Sequence, residues 1–158
     1  MNDAFIDTSQ ESSTDEESPL YKRDFVRWLE TQSAYLRAQQ FALLDLDNLV
    51  DEIDSMAGNE RRELKHRLET LTVHLLKCQF QPERKSGSWL GTIMEQRSAI
   101  EELINESPSL RREVEDYVHR CYRKACRRAA AETSIPIKNF PTENPYSTAQ
   151  ILDEDFVP

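Results

Sequence analysis

Apolar residues in this chain recur at intervals of three and four positions, the spacing that places side chains on one face of an α-helix. Helix start signals precede several of these runs, because Asp45 and Ser88 can cap a helix and Ser107 is followed by proline at a first helical position. Five helices are predicted: residues 20–40, Asp45 to Gly58, Gly58 to Phe80, Ser88 to Ile104, and Ser107 to about Thr133.

Gly58 lies between the second and third apolar runs, and the sequence leaves open whether it breaks the helix or bends it. The segment 73–80 is apolar on more than one side, so helix three is predicted to be the central helix. Beyond helix five, prolines preclude regular structure until Ser147 and Gln150, whose capping-box spacing predicts a short final helix through Leu152.

Amphipathic helices with short connections predict an all-α fold, an antiparallel bundle of four to five helices, because no single stripe can be buried alone. Residues 19–133 are predicted to form the bundle. Residues 1–18 are too polar to form part of a core and are predicted to be a disordered acidic arm. Residues 134–158 are predicted to be an extended, Pro-containing C-terminal segment that lies outside the core and carries the short final helix.

The formal net charge of −9 arises from acidic residues at the two ends of the sequence. Residues 1–18 and 139–158 contain acids and no lysine or arginine, so all 20 basic residues lie between them. A basic surface for an anionic partner is therefore compatible with the acidic net charge.

Three cysteines, Cys78, Cys121 and Cys126, are an odd number without disulfide spacing, which favours a reducing compartment. The first residues have neither the basic nor the apolar part of a secretory signal, and no apolar run is long enough for a membrane span. We therefore expect a cytoplasmic protein without a membrane partner.

Several stretches in fixed order resemble a bacterial family called domain of unknown function 29, which is common in cyanobacteria and also found in proteobacteria. They are DFVRWLE, LDLDNLVDEIDSMAGNERRELKHRLETL, HLLKCQFQPERKSGSW, TIMEQRSAIEELINESPSL, ETSIP and FPTENPYSTAQILDEDFVP. The chain departs from the family pattern at Cys78, where the family usually has HLLKWQ, and at Asn144 to Tyr146, where it tends to have Cys-Pro-Trp. The resemblance implies an all-helical bundle and supplies no activity.

Metal chemistry has little support in the sequence. His74 and Cys78 are four residues apart on helix three, but a third ligand would have to come from Cys121 or His119, which point in different directions on helix five. No residue pattern points to a catalytic group, a metal site or a cofactor. We expect His74 instead to be largely buried in a polar cluster with Glu52 and Arg97, in which it fixes helix register or lines a small pocket.

Basic residues concentrate on helix five, where a candidate basic face comprises Arg120, Arg123, Lys124, Arg127 and Arg128. Such a face can bind phosphates, but it is also the ordinary charge opposite an apolar stripe. The expected function is a non-enzymatic protein-interaction or regulatory bundle with an unknown protein partner. The alternative is a small nucleic-acid-binding factor or an antitoxin-like partner of a basic toxin.

Overall fold

The computed structural model describes residues 18–158, so the predicted acidic arm lies, except for Ser18, outside the described residues. Over this range the chain forms six α-helices and no strand, which confirms the all-α class. Their bounds are α1 Leu20–Arg23, α2 Phe25–Arg37, α3 Leu46–Phe80, α4 Gly87–Glu106, α5 Val114–Thr133 and α6 Thr148–Leu152.

The chain divides into two compact units, Met1–Ser55 and Met56–Pro158. This division falls within α3, close to Gly58, which separates the second apolar run of the sequence from the third. The first unit, called the N-terminal unit below, contains α1, α2 and the beginning of α3. The second, the C-terminal unit, contains the remainder of α3 and all later helices.

Gly58 neither breaks nor ends a helix, because α3 runs without interruption from Leu46 to Phe80. The two helices predicted on either side of Gly58 are therefore one helix of 35 residues. A glycine inside a helix costs only about 1 kcal/mol relative to alanine, which the other residues of so long a helix offset.

Other helix starts differ from the predicted ones because capping side chains act at different positions. Asp24 ends α1 and caps α2 by accepting a hydrogen bond from the Arg27 backbone N–H at 3.0 Å, so the predicted first helix is two helices. Ser86, not Ser88, caps α4. The Ser107 side chain makes no capping bond, and a 3₁₀ helix over Pro108–Glu113 precedes α5.

The core of the C-terminal unit forms around the later half of α3, as its apolar sequence predicts. Leu64, Leu68, Leu71 and Leu75 are fully buried. From α4, Ile93 and Ile100 join them, and from α5 a set of small or branched residues does so: Val118, Cys121, Ala125 and Ala129.

The C-terminal segment contributes to this core, so its predicted location outside the core is wrong. Phe140, Tyr146 and Ile151 are all buried. The rings of Phe80 and Phe140 lie 4.8 Å apart, and the Tyr146 hydroxyl donates to the Gln79 side chain. The final helix α6 has both bonds of the predicted capping box between Ser147 and Gln150. A segment interrupted by prolines can therefore supply core residues without long helices.

Across residues 18–158, no helix combines the length and the apolar character that crossing a membrane requires.

Candidate functional site

The N-terminal unit has a small interior in which aromatic and polar groups mix. Trp28 is 2% exposed, and its indole Nε1 donates to Asp45 Oδ2 at 3.1 Å. Tyr21 packs edge-on against this ring with centroids 4.8 Å apart, and its hydroxyl donates to Glu52 Oε1 at 2.6 Å. The Asp45 backbone N–H donates to Gln32 Oε1 at 2.8 Å. These bonds link α1 and α2 to the start of α3.

Two titratable groups in this interior have shifted pKa values with identifiable causes. The hydrogen bond to Glu52 raises the pKa of the Tyr21 hydroxyl. Hydrogen bonds from Asn48, and then from Trp28, lower the pKa of Asp45 despite some desolvation. Asp45 therefore carries its charge at neutral pH while it accepts bonds from both α2 and α3, and it caps α3 in its predicted place.

Most large apolar side chains that the described residues leave exposed belong to the N-terminal unit. Nine of the twelve lie between residues 25 and 53, and each is between 41% and 65% exposed. They are Phe25, Val26, Leu29, Leu36, Phe41, Leu43, Leu46, Val50 and Ile53. Single exposed apolar residues are ordinary on a soluble protein, but a concentration of this kind is typical of an interaction surface.

The helical spacing arranges six of these residues in two stripes. On α2, the members Phe25, Leu29 and Leu36 fall on one side of the helix, and we call them the α2 stripe. On α3, the members Leu46, Val50 and Ile53 are four and three residues apart, and we call them the α3 stripe. Both α2 and the beginning of α3 thus have an apolar side that the described residues leave open to solvent.

Acidic residues border the α3 stripe. Residues 45–60 contain six acids and no lysine or arginine. At about 100° per residue, Asp47, Asp51 and Asp54 fall along one flank of the stripe, and all three are exposed. The candidate functional site is this pair of apolar stripes with an acidic border on α3.

Within its own unit, each residue of the predicted polar cluster has hydrogen-bond partners other than the predicted ones. Glu52 accepts from Tyr21 in the N-terminal unit. His74 is partly buried, and its Nδ1 lies 3.0 Å from the carbonyl oxygen of Thr70 on the same helix. Burial lowers the pKa of His74, so the ring is neutral at pH 7. An intrahelical carbonyl satisfies this ring where the prediction assumed partners on other helices.

Arg97 is buried as predicted, but it binds backbone carbonyls of the C-terminal segment. Its Nε donates to Ile151 O at 2.9 Å, and its terminal nitrogens donate to Glu154 O at 3.2 Å and to Phe156 O at 2.7 Å. A longer bond of 3.4 Å reaches Gln150 O. One guanidinium, whose donors form a rigid fork, thereby fixes the turn that follows α6.

Three of the five residues of the predicted basic face form ion pairs within the protein. Arg120 pairs with Asp116, Lys124 with the buried Glu69, and Arg128 with Glu132. Across residues 18–158, Arg123 and Arg127 have no ion pair. The five residues thus do not present a continuous set of free positive charges.

Sequence reasoning missed the polar contacts that join α3 to α5. Lys77 is 7% exposed, its Nζ lies 2.8 Å from Glu132 Oε2, and it sits 4.4 Å from the centre of the Trp89 ring. Arg128 also donates to the Thr70 hydroxyl at 3.2 Å. Glu132 lies 55 positions from Lys77, and Arg128 lies 58 positions from Thr70, so no local pattern could have paired them. These contacts bind the helices together.

All three cysteines are buried and free. Desolvation raises the pKa of each thiol, that of Cys121 to about 11, so they are protonated at neutral pH and poor nucleophiles. Within residues 18–158, no three His, Cys, Asp or Glu side chains are grouped so that they could hold a metal ion.

The chain matches a known family over almost all of the described residues. The sequence pattern of the family described as Domain of unknown function DUF29 matches residues 20–157. Neither the curated proteins nor the solved structures contain a match to the chain.

Proposed function

Since the chain belongs to the family described as Domain of unknown function DUF29, whose description names no activity, we propose a function from the geometry. The protein is a non-enzymatic interaction module, and its N-terminal unit binds a protein partner through the α2 and α3 stripes. The partner presents an apolar helix with lysine or arginine beside it. The observation that carries this proposal is the concentration of exposed apolar side chains between residues 25 and 53.

The apolar stripes supply the driving force for such binding. Burying a whole Val, Leu or Ile side chain contributes about 1.5–3 kcal/mol, so a half-exposed one can still contribute about 1 kcal/mol. Binding of an amphipathic helix to apolar positions spaced by three and four residues is a common mode of recognition. Leu46, Val50 and Ile53 have this spacing.

The acidic border determines which partner fits. Opposite charges around an apolar contact accelerate association and disfavour wrong partners. Asp47, Asp51 and Asp54 would repel an acidic segment, including the acidic residues 1–18 of the same chain. The border favours a positively charged partner. The basic toxin of one predicted alternative has this charge.

The nucleic-acid alternative has less support. Nucleic-acid affinity depends on the number of free cations that neutralise phosphates. Ion pairs with Asp116, Glu69 and Glu132 occupy three of the five cations of the basic face. The proposal also includes a cytoplasmic location, which the three free, buried thiols support.

Paired variants test the proposal. Full-length parent, a Val50→Gln/Ile53→Gln variant and a Met94→Gln variant are used as bait in extracts of the native host. Met94 is 69% exposed and lies outside the N-terminal unit, so its variant is a matched control. We expect one basic protein to bind the parent and the control, and to bind the double variant about tenfold or more weakly.

Equal recovery with all three baits would contradict the proposal, and so would a partner whose binding does not weaken with salt. Light scattering of the purified parent gives a second, independent readout. A stable dimer that the double variant dissociates would show that a second copy covers the stripes, and would replace the basic partner.

A further inference from the structure

A cleft of about 330 Å³ lies in the C-terminal unit beside α5, and the function proposed above does not use it. Its charged lining is Arg123 and Arg127 from α5 and Lys138 from the segment that follows. Phe140 and Thr142, from the same segment, also line the cleft. The volume is within the range of about 300–1,000 Å³ that is typical of small-molecule sites.

The lining is cationic and has no acid. Arg123 and Arg127 are four residues apart on α5, so both guanidinium groups project from the same side of the helix, where like charges repel. Lys138 adds a third positive charge, and no Asp or Glu is among the residues that line the cleft. The other cations of the basic face have acidic partners, whereas within residues 18–158 Arg123 and Arg127 have none. An anion in the cleft would relieve this repulsion.

The floor of the cleft is apolar and fixed in place. Phe140 is 5% exposed and packs against Phe80, and its backbone N–H donates to Ile137 O at 3.1 Å. The Tyr122 hydroxyl donates to Pro141 O at 2.8 Å, which ties the segment to α5. Burial keeps the thiol of Cys126 protonated, so the floor adds no negative charge. The apolar floor of the cleft is therefore preformed, and the three cations on its rim are exposed to an incoming anion.

We propose that this cleft binds a small phosphate ester that carries an aromatic or aliphatic group. Guanidinium groups match the oxygen atoms of a phosphate in charge and geometry, and Lys138 adds a third donor. The ester group would lie on Phe140 and Ile137. Three cations suit one phosphate better than a nucleic-acid backbone, which needs a longer row of charges.

The test measures binding of phenyl phosphate, inorganic phosphate and benzoate to the full-length protein by calorimetry. Arg123→Gln/Arg127→Gln is the site variant and Arg120→Gln the matched control on the same helix. Both arginines of the site are exposed, so the site variant should fold, and its melting temperature checks this. We expect saturable binding of phenyl phosphate, tighter than that of the other two anions, and a loss of about tenfold or more in the site variant only.

Equal, weak binding of all three anions would overturn the proposal, as would equal losses in the site variant and the control. Binding of a single-stranded RNA to the parent and to the site variant is measured as well. If RNA binds and the site variant abolishes its binding while phenyl phosphate does not compete, the cleft belongs to a nucleic-acid surface and the small-ligand proposal is wrong. Neither result affects the test of the N-terminal stripes, because those variants lie elsewhere in the chain.

Discussion

At the scale of single residues, Arg97 shows how one buried cation can replace regular structure. It donates hydrogen bonds to carbonyls of residues 150, 151, 154 and 156. Replacing it with lysine keeps the charge but removes the forked set of donors, and leaves the buried carbonyl of Ile151 and partly buried carbonyls near it without a donor. We expect Arg97→Lys to lower the free energy of unfolding by about 2–4 kcal/mol in urea denaturation. Arg111→Lys, at an exposed arginine, should change it by less than about 0.5 kcal/mol, and equal effects would show that the bonds add nothing.

His74 gives a prediction about pH. Burial lowers its pKa in the folded protein, so the unfolded chain binds a proton at higher pH than the folded one does. Stability contributed by the neutral ring is therefore present above the unfolded pKa of about 6.5 and is lost as the pH falls through the folded value. We expect His74→Gln to lose less stability between pH 7 and pH 5 than the parent. The exposed His119→Gln is the control, and identical profiles for the parent and both variants would contradict this prediction.

The sequence predicted buried residues better than it predicted their partners. Periodicity places Leu64, Leu68, Leu71 and Leu75 on one stripe, and all four are buried. It could not pair Lys77 with Glu132 or Arg97 with the last residues, because periodicity describes a helix face and says nothing about which face is opposite. For the same reason it could not give the carbonyl partners of His74 and Arg97 that the structure has.

At the scale of helices, most predicted helices exist and their ends are the least accurate part. The sequence does not decide whether the helix breaks at Gly58, and the structure has one uninterrupted helix there. Asp24 and Ser86 cap helices where the apolar pattern alone gives no reason to place an end. Caps depend on backbone geometry just outside a helix, which the spacing of apolar residues does not encode.

Replacing the two glycines inside long helices tests how much the low helix propensity of glycine costs these helices. A methyl group added at Gly91 in α4 meets no atom within 4 Å, and one at Gly58 meets only the end of the Arg62 side chain, at 3.2 Å. We therefore expect Gly58→Ala and Gly91→Ala each to raise the free energy of unfolding by about 0.5–1 kcal/mol, since alanine restricts the unfolded chain. The readout is a higher urea midpoint with an unchanged slope. A lower free energy of unfolding for Gly58→Ala alone would contradict the prediction and show that the Arg62 side chain cannot move away from the added methyl group.

At the scale of the whole molecule, the C-terminal segment supplies buried side chains that complete the core of the C-terminal unit. Tyr146 and Ile151 are buried in the C-terminal unit, and each contributes about 1.5–3 kcal/mol by burial. Removing residues 143–158 should therefore lower the free energy of unfolding by more than about 3 kcal/mol and reduce the cooperativity of thermal unfolding. Ser147→Ala, which removes only the cap of α6, should cost about 1 kcal/mol. A truncated chain with the same free energy of unfolding as the parent would contradict this prediction, because it would show that the core does not need the segment.

The same segment has a consequence for the order of events during synthesis. Gln79 bonds to Tyr146 and Arg97 to Phe156, so the contacts that hold the C-terminal segment on the core join positions 59 to 67 residues apart. A ribosome delivers the chain from its N-terminus, and α3, α4 and α5 emerge well before the residues that close the core. During that interval the apolar side of α3 has no complete cover. We therefore expect that the emergence of residues 140–151, more than the formation of any helix, completes the cover of this apolar side during synthesis.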